Sequence, residues 1–349
     1  MTRDSLGLLD ALGAIPAQLR AGYEDAAAAD LGALGPAGGI RQVVVLGMGS
    51  SGIVGDVLAA ALNDQVTVPV TVLKQYRVPA FVGPGTLALA LSYSGDTEEA
   101  VAMATGALDA GATLVTVASG GALAKLADAR GATHVPARAG IPVPRAALGA
   151  MAGPVVAVFE RAGLVSGVGP QVDAAARQLE ARAWVCRPEV AGPANPAREV
   201  ARRIGRTLPL FYGGGALGAV AAMRWKFDVN ENAKAPAFWS AYPDLDHHEI
   251  CGWGQHGDVT RQVLTLVELR HDFEHPRLAL RFDATREIIE EALAGIVEVR
   301  AAGEGRLAQV LDLAYQGDWA STYLALDQDV DPGPIDAIAQ LKERLGAEP

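Results

Sequence analysis

The stretch "QVVVLGMGSSGIVGD", residues 42–56, decides how the rest of the chain is read. Val43–Leu46 is a short apolar run without polar alternation, the look of a strand covered on both faces in a parallel sheet. Gly47, Gly49 and Gly52 then follow in G-x-G-x-x-G spacing before helix-like sequence, an arrangement that brings a helix N-terminus close to an anionic group. A nicotinamide dinucleotide site would also want an acidic residue about 20 positions further on, at the end of the second strand. That strand reads "VTVLKQY" and offers Lys74 instead, which weakens a dehydrogenase reading. The neighbouring hydroxyls Ser50 and Ser51, with the backbone at Gly49, suit a terminal phosphate, whose acceptor oxygens take both O–H and N–H donors.

Outward from this turn, "VPVTVLK", "TLALALSYSG", "ATLVTVASG" and "ATHVPA" are apolar runs separated by helix-length stretches. They predict βαβ units and a doubly wound sheet in a first domain over residues 1–165. Residues 166–200 read as helix with Pro-containing breaks. The alternation then resumes: "TLPLFYGGGALGAVAAMRWKFDVNENAK" is strand, glycine turn and helix, "QVLTLVEL" a strand, "TREIIEEALAGI" a helix and "VEVRAAG" a strand. "LAQVLDLAYQGDWASTYLALDQ" and "PIDAIAQLKERLG" close the chain as helices. Because "YGGGALG" repeats the pattern of "LGMGSSG", the expected fold class is α/β with two related lobes, the second over residues 166–349. Trp225 and Phe227 read as core and interface, and Trp253 as packing for its loop.

A chain of 349 residues, half of them hydrophobic, has room for two well-packed domains. Its formal charge of −11 argues against a nucleic-acid backbone as partner, since that needs a basic footprint. Small anionic ligands remain open, because local donors decide them. Cys186 and Cys251 are too far apart in sequence for a paired metal motif and fit a reducing compartment, so a cytoplasmic location is expected. No apolar stretch reaches the roughly 20 residues of a membrane helix, and no leader pattern is seen. Neither nucleic acid nor membrane is expected as a partner.

A second hydroxyl cluster follows the third strand in "LSYSGDTEEA", residues 91–100. Ser92, Ser94 and Thr97 stand where ligands gather in open α/β sheets. Together with Ser50, Ser51 and Gly49 they would form a phosphate cup without a basic side chain. Helix capping by Thr97 or Asp96 is the competing explanation.

"GMGSSGIVGD" with "LSYSGDTEEA" resembles the sugar isomerase (SIS) domain. With "NENAK" and "YLALDQDVDPGPIDAIAQLK" downstream, nearly the whole chain resembles the bifunctional phosphoglucose/phosphomannose isomerases of archaea and bacteria. The resemblance implies two SIS-type lobes with doubly wound parallel sheets. It also implies interconversion of glucose 6-phosphate and mannose 6-phosphate with fructose 6-phosphate, needing neither metal nor cofactor. Passing a proton between C1 and C2 through an enediolate requires a base, a cation beside the oxyanion and an acid that opens the ring.

By resemblance Glu231 of "DVNENAKAP" is the base, although a solvated carboxylate at a helix end is the ordinary fate of a Glu. His247 of "DLDHHEICGW" is the ring-opening acid and, in a homodimer, reaches the neighbouring subunit's site. Asp246 and His248 replace the Asn residues usual on either side of that histidine, which leaves its orienting hydrogen bonds open. Adjacent residues on an extended segment point to opposite sides, so the His247–His248 pair makes a poor metal site. Arg145 of "IPVPRAALGAM" is the cation, against the alternative of a surface ion pair, and Lys342 of "QLKERLG" is brought in from the closing helix. A non-catalytic sugar-phosphate sensor and an isomerase of another phosphosugar are the alternatives. Asp96, where Asn is commoner, and Gly333, where relatives often carry a hydroxyl, keep the second open.

Overall fold

The computed structural model describes residues 4–32, 34–35 and 39–346. Helices α1 (Leu8–Gly13) and α2 (Ile15–Ala28) lead into β1 (Gln42–Gly47), α3 (Gly49–Ala61), β2 (Val70–Leu73) and β3 (Thr86–Leu91). The first lobe continues with α4 (Glu98–Asp109), β4 (Thr113–Ala118), α5 (Gly121–Arg130) and β5 (Thr133–Pro136). Its strands form a parallel sheet in the order β2-β1-β3-β4-β5. Val43–Leu46 and Leu87–Leu91 are buried throughout, as strands covered on both faces must be.

Three helices join the lobes: α6 (Leu148–Arg161), α7 (Gly169–Cys186) and α8 (Pro196–Ile204). The start of α8 is set by Asn195, whose side chain accepts from the N–H groups of Ala197 and Arg198 while Pro196 takes the first helical position. The second lobe comprises β6 (Leu208–Gly214), α9 (Gly215–Asp228), β7 (Phe238–Tyr242), α10 (Gly257–Val263), β8 (Leu264–Arg270), α11 (Pro276–Ile289) and β9 (Gly295–Arg300). Its parallel sheet runs β7-β6-β8-β9. Helices α12 (Gly305–Asp327) and α13 (Asp336–Gly346) end the described chain. None of the described helices is long and apolar enough to cross a membrane.

Two elements depart from the sequence reading. Strand β7 lies in "AFWSAY", which the sequence reading does not include among its strands; it is an edge strand with Phe238 and Trp239 exposed. Helix α11 begins ahead of "TREIIEEALAGI", at Pro276, where His275 Nδ1 accepts the Arg277 N–H, and it stops at Ile289.

The lobes share one apolar core. It runs from Leu12 and Ile15 through the first sheet to Val297 and Val299, and α12 forms its middle, packed on α7, α8 and α9. The internal repeat is equally concrete. Gly47, Gly49 and Gly52 correspond to Gly213, Gly215 and Gly218, and the middle glycine has left-handed backbone in both turns (φ 48° at Gly49, 60° at Gly215). A Cβ on Gly52 would lie 2.4 Å from the Gly47 carbonyl oxygen and one on Gly213 1.9 Å from that of Gly218, so both turns need glycine for strand and helix to meet.

Candidate active site

Gly47 is paired with Leu91, so the turns leaving β1 and β3 emerge side by side at the C-terminal edge of the first sheet. Ser51 Oγ accepts the Tyr93 N–H at 3.0 Å and ties the two turns together. Ser92, 1% exposed, sits 2.8 Å from Thr97 Oγ1 and accepts the Gly95 N–H. Ser94 Oγ lies 3.5 Å from Ser92 Oγ and accepts the Asp96 N–H. Thr97 occupies the N-cap position of α4 but makes no side-chain cap, and Asp96 instead accepts from Ala122 N–H at the start of α5. Thr97 therefore does not cap α4, while the Asp96 carboxylate satisfies an N–H at the mouth of α5. Ser50 Oγ is buried without a partner among the described residues, a cost of about 1–3 kcal/mol that a bound acceptor would relieve.

Tyr93 links this cup to the next part of the crevice. Its hydroxyl accepts the Ile141 N–H at 2.9 Å and fixes the loop that leads into Arg145. Arg145, in a single 3-10 turn over Pro144–Ala147, is 3% exposed. Its Nε donates to Asn232 Oδ1 at 2.5 Å and its Nη2 to the carbonyls of Pro332 and Gly333, which leaves Nη1 facing Glu231 Oε2 at 3.9 Å. Burial lowers the affinity of the guanidinium for its proton, and Glu231 and Asp228 oppose that effect.

Glu231 is displayed by one turn of π-helix, Val229–Ala233, that widens the end of α9. Such turns are frequent at functional sites because they re-aim a side chain without ending the helix. Asn232 anchors the turn between Arg145 and Ser321 Oγ, and Lys234, with φ 54°, donates from Nζ to the carbonyls of Glu231, Asn232 and Pro332. Burial, followed by the neighbouring Arg145 charge, pushes the Lys234 ammonium below the usual lysine range. A cavity of about 450 Å³ opens beside Glu231, Lys234, Asp331 and Ile335. The anchoring role of Asn232 is invisible in "NENAK" read alone, because its side-chain partners come from residues 145 and 321, and Lys234 reaches out of the motif to residue 332.

Residues 193–345 match the family model of the bacterial phospho-glucose isomerase C-terminal SIS domain. The bifunctional phosphoglucose/phosphomannose isomerase of Caldicellulosiruptor bescii is 34% identical over 309 residues, covering 88% of this chain and 90% of the relative. That of Aquifex aeolicus is 31% identical over 308 residues, with 87% and 90% covered. The chain belongs to the bifunctional phosphoglucose/phosphomannose isomerase family. The fold agrees with a solved glucose-6-phosphate isomerase-like protein from Thermus thermophilus, with a TM-score of 0.62 at 22% identity over 97% of this chain and 95% of that one.

In this phosphoglucose/phosphomannose isomerase family member, His247 and Glu231 do not meet within one chain. β6 and β7 are parallel, so α9 must run back between them and delivers Glu231 to the edge where β7 starts. His247 follows Tyr242 at the opposite edge, beyond about 13 Å of strand at about 3.3 Å per residue. His247 and His248 are both exposed, and the turn bearing them is pinned by Asp246, which accepts from Arg281 at 2.7 Å and Thr285 at 2.9 Å. The Asp at the family's Asn position thus serves as an anchor for the loop. Lys342 is exposed on α13 and does not line the Glu231 cavity. At Gly333 a Cβ would come within 2.9 Å of Leu6, so Leu6 fills the space that a hydroxyl side chain would take. Lys74, in the place of a dinucleotide-binding acid, is paired with Asp56 at 2.5 Å.

Proposed function

We propose that this protein interconverts glucose 6-phosphate and mannose 6-phosphate with fructose 6-phosphate through a common enediolate, using side chains alone. The observation that carries this reading is the 3.9 Å approach of Arg145 Nη1 to Glu231 Oε2; the hydroxyls of Ser51, Ser92, Ser94 and Thr97, gathered at the C-terminal edge of the first sheet, supply the phosphate donors it needs. In this mechanism those hydroxyls, with Ser50 and the backbone at Gly49, hold the phosphate and so fix C1 and C2 over Glu231. Glu231 removes the C2 proton of the aldose and returns it at C1. Arg145, tied through Nε and Nη2 to protein oxygens, offers its remaining nitrogen to the developing oxyanion without titrating. Glucose and mannose differ only at C2, and loss of that proton gives both the same enediol. Rotation about the C2–C3 bond brings either face of C2 to Glu231, so one base serves two aldoses.

The ring-opening acid in this proposal is His247 of a second copy. Its exposure, and its position across the sheet from its own Glu231, support a homodimer with composite sites. Lys342 is given no step unless α13 moves inward. A cytoplasmic site of action fits the unpaired Cys186 and Cys251.

The test is an assay of chelator-treated protein on each aldose phosphate, beside Glu231→Gln and His247→Asn. Wild type should turn over both sugars and each variant should be nearly inactive. Mixing the two variants under subunit exchange should restore about a quarter of wild-type activity, since half the dimers then carry one intact composite site. Absence of turnover on both sugars would refute the activity; stable mixed dimers without recovery would refute the crossed histidine.

A further inference from the structure

Directly behind Arg145, Arg224 and Asp228 of α9 and Asp318 of α12 are shut away from water, each 1% exposed. Arg224 donates to Asp318 Oδ1 from Nε at 3.1 Å and from Nη2 at 2.6 Å, and Nη2 also donates to the main-chain carbonyl of Arg145 at 2.8 Å. Asp228 Oδ2 lies 3.0 Å from Arg224 Nε on the same side. Among the described residues neither Asp228 oxygen has a hydrogen-bond donor, nor does Asp318 Oδ2.

One guanidinium cannot neutralise two carboxylates in a site without water, and a second buried anion would carry a desolvation cost that nothing nearby offsets. Of the remaining charges in this neighbourhood, Arg145 faces Glu231 and the Lys234 ammonium is held by the carbonyls of Glu231, Asn232 and Pro332. We infer that Asp228 holds a proton, leaving a neutral triad whose Arg224 is a positioning residue for Arg145. Burial holds the Asp228 carboxyl well above the ordinary range; Arg224 opposes this and the Asp318 charge adds to it. The consequence for catalysis, which rests on the isomerase reading above, is electrostatic. A neutral triad leaves the full charge of Arg145 directed at Glu231 and the oxyanion, whereas a second ionised carboxylate behind it would draw that charge away. The Arg224 bond to the Arg145 carbonyl fixes the turn from which the guanidinium projects.

Infrared spectra of the whole protein at about pH 7 test the proton on Asp228 without reference to activity. Wild type should show the C=O stretch of a protonated buried carboxyl, and Asp228→Asn should lose it. A wild-type spectrum without that band, or a band that survives in Asp228→Asn, overturns the proton on Asp228. Positioning is tested by kinetics: Arg224→Met should lower kcat about a hundredfold with KM changed less than about threefold, and Asp228→Asn, which keeps the shape of a protonated carboxyl, should cost less than about tenfold. Should Arg224→Met fail to fold, Arg224→Lys keeps the charge but not the fork, and its kcat must still fall. An unchanged kcat in Arg224→Lys overturns the positioning role. If wild type lacks isomerase activity, the functional reading fails while the infrared result still stands or falls by itself.

Discussion

In the first lobe Gly47, Gly49 and Gly52 bring α3 up to β1 and leave Ser50 and Ser51 at the helix mouth; in the second, Gly213, Gly215 and Gly218 do the same for α9 and β6, with Ala216 and Leu217 between them. The strand registers match as well, Gly47 with Leu91 and Gly213 with Leu269. Beyond those partners stand Ser92, Ser94 and Asp96 in one lobe and Arg270, Asp272 and Glu274 in the other. The Glu274 carboxylate folds back to accept from Arg270 Nε and Nη2 and from the His271 N–H, close enough to the glycine turn that a Cβ on Gly214 would lie 3.2 Å from it. Asp272 is clasped by Gln309 of α12. The first crevice keeps donors for an external anion, while the second holds an internal carboxylate. Glycine spacing therefore specifies how the backbone turns, and the residues between and beyond the glycines decide whether anything is bound there.

The comparison is broken most directly from the first lobe. Ser51→Ala combined with Thr97→Val should raise KM for the phosphosugars and lower kcat/KM by about a hundredfold or more, through loss of charge-assisted hydrogen bonds to phosphate worth about 1.5–3 kcal/mol each. Steady-state kinetics on both aldose phosphates checks this, and an unchanged KM would remove the cup from the site. In the second lobe Glu274→Gln should leave kcat and KM as they are and lower unfolding free energy by about 1.5–3 kcal/mol, because Arg270 loses its charged hydrogen-bond partner and keeps Glu298 at 3.8 Å. Urea denaturation reads that loss; a defect in turnover without a loss of stability would mean that the second crevice takes part in catalysis.

The smallest effect concerns His271. The Phe273 N–H donates to its Nδ1, so the ring proton sits on Nε2, which lies 2.8 Å from the Gly214 carbonyl. Both nitrogens of the neutral ring are thus satisfied, and burial lowers its pKa from the usual histidine value, with the Gly214 bond opposing. The unfolded chain accordingly takes up this proton first, and the stabilisation from His271 is present above about pH 6.5 and lost as pH falls below it. Melting temperatures across that range should decline less steeply in His271→Gln, whose amide does not titrate there. Equal slopes in the two proteins would show that His271 ionises freely in the fold.

Much of this could be read from local chemistry. The apolar runs at 43–46 and 87–91, the paired glycine turns and the hydroxyls at 50, 51, 92, 94 and 97 depend on neighbours within a few residues, and each stands in the fold where its pattern predicts. Strand β7 is a five-residue edge strand directly after the "NENAK" turn, and only its pairing with β6 sets it apart from a loop. The lone carboxylate of "NENAK" carries no mark of its surroundings in the sequence.

What the sequence by itself determined is the two-lobed α/β architecture, the family and the hydroxyl-lined turns, since these follow from spacing along the chain. Only the tertiary structure decided that Arg145 faces Glu231, that Asp228 and Asp318 crowd one guanidinium, that Glu274 fills the second crevice, and that His247 lies across a sheet from its own Glu231. Each of these joins elements distant in sequence or depends on the direction in which a crossover helix returns, and desolvation and charge acquire their force only once packing has removed the water.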